Sequence, residues 1–195
     1  MTDVFTAPGM ELYSMKKQSG FPGALVAGLV LLVINASAQQ DTDGSEVQVT
    51  ADSFECITNM TAVRHFYVDN FLGDLEGTLA VANSEIGGRY PPGSVVQLVP
   101  TEVMVKHGEG WNAATRDWEF FELDVSTDGS SIRNRGFVDV VNRFGGNCFG
   151  CHIKARPEWD LICEKDHGCD PIPVTSEQIL QLQQTDPRCK PVNSR

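Results

Sequence analysis

Positive charge is scarce in this chain: Lys and Arg total 15 of 195 residues against 26 Asp and Glu, a formal net charge of −11. A surface of that sign repels phosphate, which argues against nucleic acid and anionic membranes as partners. It suits a basic protein partner or a small neutral or cationic molecule, and it also serves simply to keep an exported protein soluble. No apolar run is long enough to cross a bilayer: residues 24–34 fall well short of the ~20 that a membrane helix needs. No internal repeat is present, which excludes a solenoid or a propeller. Methionine is missing after Met104. What remains is 41% hydrophobic and 21% charged, an ordinary composition for one globular domain with its own core.

The short apolar run has another reading. Lys16 and Lys17 precede it as a basic region, and Ala36-Ser37-Ala38 follows as a small-residue cleavage site. Residues 1–38 are therefore expected to be a signal peptide that sends the body to the periplasm, an uncleaved N-terminal anchor being the alternative. Residues 39–55 read as an acidic linker, 56–170 as the functional domain, and 171–195 as a Pro-bearing surface tail.

Export decides how the six cysteines are read, because free thiols rarely survive in an oxidising compartment. Cys56, Cys163, Cys169 and Cys189 make an even set for two disulfides. Three connectivities are open. Cys163 with Cys169, across a short His- and Gly-containing loop, and Cys56 with Cys189, stapling the tail, is the favoured one. A zinc site from Cys163, His167 and Cys169 is the rival, although no fourth ligand stands at conventional spacing.

Apolar periodicity predicts a mainly β (α+β) fold: an antiparallel sheet with a few short helices and a C-terminal CxxCH loop. Strands are expected over 62–68, 94–99, 102–106, 118–125 and 159–163. Residues 136–141 read as a strand or the start of a helix. A helix is expected over 71–83 and a helical turn over 176–184, with turns at Pro91-Pro92-Gly93 and Thr127-Asp128-Gly129.

Cys148-Phe149-Gly150-Cys151-His152 carries the chemistry. Two thiols three residues apart can each add to one vinyl group of a haem, and the adjacent imidazole then meets the iron. One covalently bound haem c is the expected cofactor, attached through Cys148 and Cys151 and ligated by His152. A thioredoxin-like redox pair would want the same motif opening a helix in a βαβ unit, and zinc would need two further ligands. With no methionine downstream of His152, the sixth ligand of an electron-transfer cytochrome has no source there. Met60, Met104, His65 and His107 are the remaining candidates to close the site, and an open distal position is the preferred reading.

Strand alternation offers two side chains for that open side. Arg64 falls on an apolar face of the 62–68 strand, where a guanidinium needs an anionic partner such as a haem propionate or an iron-bound ligand, unless it snorkels to water. In the 118–125 strand, Phe121, Leu123 and Val125 form the core face. Trp118, Phe120, Glu122 and Asp124 form the other, a mixture suited to a pocket lining or to a solvated face.

With the haem motif, Arg64 and Glu122 in view, the chain resembles the cytochrome P-460 family and its relatives, the β-type cytochromes c′. The resemblance covers most of the mature chain. It rests on Thr61-Ala62-Val63-Arg64-His65-Phe66-Tyr67-Val68-Asp69, Tyr90-Pro91-Pro92-Gly93-Ser94-Val95-Val96, the strand through Glu122, and the Cys148–His152 motif followed by Trp159-Asp160-Leu161-Ile162. It implies a small periplasmic β-sheet protein, often homodimeric, with a five-coordinate haem. The activity implied is oxidation of hydroxylamine with nitric oxide chemistry along the way, electrons leaving to a partner protein. Arg64 matches the distal arginine and Glu122 the distal carboxylate. The enzymes of the family carry a lysine joined to the haem edge. That position falls on Leu98 here, with Lys106 the nearest lysine downstream. Lacking the cross-link, the chain would stand closer to the nitric oxide-binding cytochromes c′, whose distal side is apolar.

Overall fold

A computed structural model describes residues 47–189; the expected signal peptide lies outside the described residues. Six strands run as an antiparallel meander in sequence order: β1 Thr61–Val63, β2 Phe66–Asn70, β3 Ser94–Val99, β4 Glu102–Lys106, β5 Trp118–Ser126 and β6 Gly129–Gly136. Among the described residues three α-helices accompany them, one between β2 and β3 and two after β6: α1 Leu75–Ala82, α2 Cys148–His152 and α3 Ser176–Gln184. The mainly β expectation holds, and β3 and β4 occupy the residues the sequence indicates. The disulfides are Cys56–Cys189 and Cys163–Cys169, the favoured pairing, which removes two of the three ligands of the zinc alternative.

Both faces of the sheet are covered, because β3, β4 and β5 place apolar side chains on each side. One face holds Val63, Phe66, Val68, Val96, Met104, Trp118 and Phe120 under α1 and the α2 region. The other holds Val95, Val103, Val105, Phe121 and Leu123 under Val47, Val49 and Phe54. Residues 47–55 are thus not the loose linker expected for 39–55: alternate apolar side chains there dock on the sheet, and Arg135 Nη1 donates to the Val49 carbonyl (3.0 Å).

Four local expectations are corrected. The strand expected over 62–68 is broken by a tight hairpin: Val63 pairs with Phe66, and Arg64 turns the chain with φ 51°. The helix expected over 71–83 begins only at Leu75, because Asp74 caps it by accepting from the Gly77 N–H (2.9 Å). Of residues 136–141, Gly136 ends β6 and the rest form no strand or helix beyond a lone Val141–Asn147 bridge. Strand β6 lies earlier, paired with β5 from the Ser126–Gly129 hairpin onward, and its polar pattern hid it. Residues 159–163 form no strand, since Asp160 and Leu161 both adopt left-handed backbone (φ 47° and 68°).

The tail is docked. Thr175 caps α3 in a reciprocal capping box, and Gln183 donates to the carbonyls of His65 (2.8 Å) and Leu98 (2.7 Å). Beyond α3, Asp186 pairs with Arg188 (2.7 Å) and accepts from the Ile57 N–H (3.0 Å), both side chains being buried next to the Cys189 bridge.

Candidate functional site

The motif occupies a short helix held by the residue before it. Asn147 Oδ1 accepts from the Gly150 N–H (2.6 Å), its Nδ2 donates to the Val138 carbonyl (2.8 Å), and the Cys148 N–H donates to the Val140 carbonyl (3.0 Å). A Cβ at residue 150 would stand 3.0 Å from Asn147 Oδ1, so glycine keeps the cap tight. Cys148 and Cys151 are the free cysteines of the described chain and sit on one turn. Burial, then the charges of Glu102 and Glu122, push the Cys148 thiol up to about 12. A thiol so hard to ionise is a poor redox nucleophile, which disfavours the thioredoxin-like reading.

His152 is oriented from both sides. Its Nδ1–H donates to the Leu161 carbonyl (2.7 Å), leaving Nε2 with no hydrogen bond among the described residues. Its ring lies 5.4 Å from the ring of Phe120, and burial lowers its pKa, keeping the imidazole neutral. Phe120 therefore braces His152 itself, a role the sequence did not suggest. A neutral imidazole with Nδ1 satisfied by a carbonyl presents Nε2 as a metal ligand. Two free thiols and this nitrogen are groups that fit a covalently attached haem. Apolar side chains flank them in the open: Val138, Val141, Ile153 and Phe144, the last 77% exposed.

Glu122 is brought to this site. It lies on the Phe120 face of β5, is 0% exposed, and accepts at Oε1 from Arg143 Nε (2.6 Å). Its Oε2 is buried without a partner. Across the ladder stands Glu102, which accepts from Asn142 Nδ2 (3.2 Å). Burial and the neighbouring Glu122 raise the pKa of Glu102. Asn142 and Arg143 belong to the loop leading into the motif, so that loop clasps both carboxylates. Glu102, Asn142 and Arg143 were missed in the sequence. Glu102 is detectable once the β4 alternation is combined with the hairpin register, whereas a loop arginine carries no periodic signal.

Arg64 is placed apart from Glu122. Its guanidinium pairs with Glu164 (Nε–Oε2 2.7 Å) and donates to the Ala82 carbonyl (2.7 Å), with 46% of the side chain exposed. Strands β3 and β4 separate β2, which carries the Arg64 turn, from β5, an offset of roughly 14 Å at sheet spacing. The anionic partner that Arg64 needed is thus a protein carboxylate.

Of the four side chains considered as sixth ligands, only Met104 shares the sheet face of Phe120. Met60 packs on the opposite core, His107 pairs with Glu119 (2.8 Å) on that same opposite side, and His65 lies at the Arg64 turn. Leu98 packs against the Phe120-face core. Lys106 is 1% exposed and donates to Asp160 Oδ2 (2.7 Å) and the Arg116 carbonyl (2.6 Å). An open cleft of about 700 Å³ lies beyond them, lined by Arg89, Arg116, Asp117 and Asp160 and not by the motif. No group of three or more His, Cys, Asp or Glu placed to hold a metal ion occurs among the described residues. Comparison with protein-family models, with curated proteins and with solved structures returns no match to the chain.

Proposed function

We propose that this chain is an exported c-type haem protein of the cytochrome P-460 kind, with one haem held by Cys148 and Cys151 and ligated by His152 Nε2. The observation that carries the reading is a division among the cysteines. Four are bonded in pairs, while the two of the motif stay free on one turn beside a histidine whose Nδ1 is already satisfied. Disulfides of this kind suit the periplasm. When bound, the haem supplies an iron that coordinates and exchanges electrons with a small nitrogen compound.

The residues around it divide the remaining work. Glu122 offers Oε2 as a proton acceptor, and Arg143 holds the other oxygen so that the carboxyl group stays aimed. Glu102, its pKa raised by burial and by the neighbouring Glu122, stands alongside. Hydroxylamine, which must lose protons as it is oxidised, suits a buried acceptor of this type, and a soluble partner protein takes the electrons. Arg64, tied to Glu164, acts on a ligand only if that pair opens.

A second reading is favoured by Leu98 and by the closed Arg64 pair: a non-catalytic cytochrome that binds nitric oxide or passes single electrons, without a haem–lysine cross-link. Lys106 is committed to Asp160 and is not available at the position the cross-link requires.

Haem staining of a denaturing gel, on protein exported in a host competent for c-type maturation, tests the first claim. The wild type is expected to stain and a Cys148→Ala/Cys151→Ala variant to lose the band entirely; an unstained wild type removes the proposal. Glu122→Ala then separates the two readings. An enzyme keeps nitric oxide binding and loses hydroxylamine turnover by about 10²-fold or more, whereas a wild type without turnover leaves the binder.

A further inference from the structure

Lys106 and Asp160 hold neither cofactor nor substrate in the account above, yet they are joined to His152 through one peptide. Asp160 is fixed from three elements. Its Oδ2 accepts from Lys106 Nζ on β4 (2.7 Å) and from the Tyr90 N–H ahead of β3 (3.0 Å), and its carbonyl accepts from Trp118 Nε1 on β5 (2.7 Å). Lys106 lies over the Trp118 ring, 4.9 Å from its centre. The next residue, Leu161, is fully buried, and its carbonyl is the acceptor of His152 Nδ1–H. Both Asp160 and Leu161 hold left-handed backbone, a conformation that side-chain-bearing residues leave unless it is enforced. The side chain and carbonyl of Asp160 supply enforcing contacts, beside the Ile162 N–H to Trp159 carbonyl bond (2.8 Å) that spans the turn and the burial of Leu161.

From this chain of contacts we infer that Lys106 and Asp160 are positioning residues for His152. The buried ion pair locks the left-handed Asp160–Leu161 dipeptide, which aims the Leu161 carbonyl at Nδ1. A firm Nδ1–H···O bond fixes the tautomer and ring angle and pushes electron density toward Nε2, strengthening it as a ligand. Resting on the haem reading, the inference adds a means by which the sheet, thirty and more residues upstream of the motif, sets the donor strength of the iron's histidine.

The test uses the exported holoprotein and two variants, Lys106→Met and Asp160→Asn. The second keeps an oxygen for the Tyr90 N–H and tolerates left-handed backbone, so it stays informative if the first fails to fold. Resonance Raman of the reduced protein is expected to show the iron–histidine stretch shifted to lower frequency in the variants. The midpoint potential is expected to rise as Nε2 donates less. In proton NMR, the His152 Nδ1–H, protected in the wild type, is expected to exchange faster in Asp160→Asn. Haem-loaded variants whose stretch, potential and Nδ1–H exchange all match the wild type overturn the inference even if they melt earlier, since the pair would then be merely structural. A wild type without haem removes the haem reading instead. The exchange measurement still decides on the apoprotein whether the pair positions His152.

Discussion

Glu119 and Glu122 stand three residues apart on β5, both buried, and face opposite sides of the sheet. Glu119 is saturated: Arg135 donates to both oxygens (2.6 and 2.8 Å) and His107 Nε2 donates to Oε2 (2.8 Å). Burial raises its pKa, but these bonds outweigh burial and hold the carboxyl below the ordinary range. Glu122 has one oxygen on Arg143 and the other unmatched. A buried carboxylate is tolerated when every lone pair is matched, and an unmatched one costs stability that some other use must offset. One face of the strand is thus finished structure, and the other keeps an unmatched acceptor oxygen.

The contrast is tested most severely by cutting what covers the finished face. Replacing Cys56 and Cys189 together by Ser is expected to cost about 4 kcal/mol, since the bridge closes a long loop. Denaturant titration measures it, and a loss no larger than that of a Cys163→Ser/Cys169→Ser variant contradicts the assignment of the tail as an anchor. Next, Glu119→Ala strands Arg135 and His107 and should cost about 3 kcal/mol, with the haem spectrum unchanged; a spectral change at constant stability would erase the difference between the faces.

Acid provides a gentler probe. Glu119 and Asp186 are both held below their usual values, with burial opposing and hydrogen bonds prevailing. A folded pKa below the unfolded one gives stability that is complete above about pH 4.5 and lost as pH falls through the lower folded value. Melting temperature should therefore decline below that pH, and Glu119→Gln should flatten the acid limb; an identical slope argues against the saturated pair. Smallest of all, Glu122→Gln should change stability by less than about 1 kcal/mol, because an amide oxygen still accepts from Arg143. A loss as large as that of Glu119→Ala would place both carboxylates in the same structural role.

How legible these features were follows from their physics. Strands β3 and β4 and the two disulfides could be read because alternation and cysteine arithmetic are local. The α3 residues read only as a helical turn in a surface tail, and the full nine-residue helix and its docking come only from the structure. Strand β6 was hidden because Ser130, Ser131, Arg133, Asn134 and Arg135 give it no apolar stripe; it exists by pairing with β5. Arg64 was misplaced because a two-residue hairpin without glycine looks like continuous strand. Cys148, Cys151 and His152 were visible as a motif, and Glu122 as an acid on an aromatic face. The Glu164 partner of Arg64, one hundred residues away, and the Lys106–Asp160 strut depend on contacts that no spacing rule encodes.

The Cys56–Cys189 bridge makes the body a covalent ring. All six strands, the motif and α3 lie inside the span it closes. A protease that nicks a loop between the two cysteines yields one molecule heavier by a single water under non-reducing conditions, and two fragments only after reduction. Proteolytic damage is thereby confined to a scar, and any group attached between the two cysteines stays with the chain after its backbone is cut.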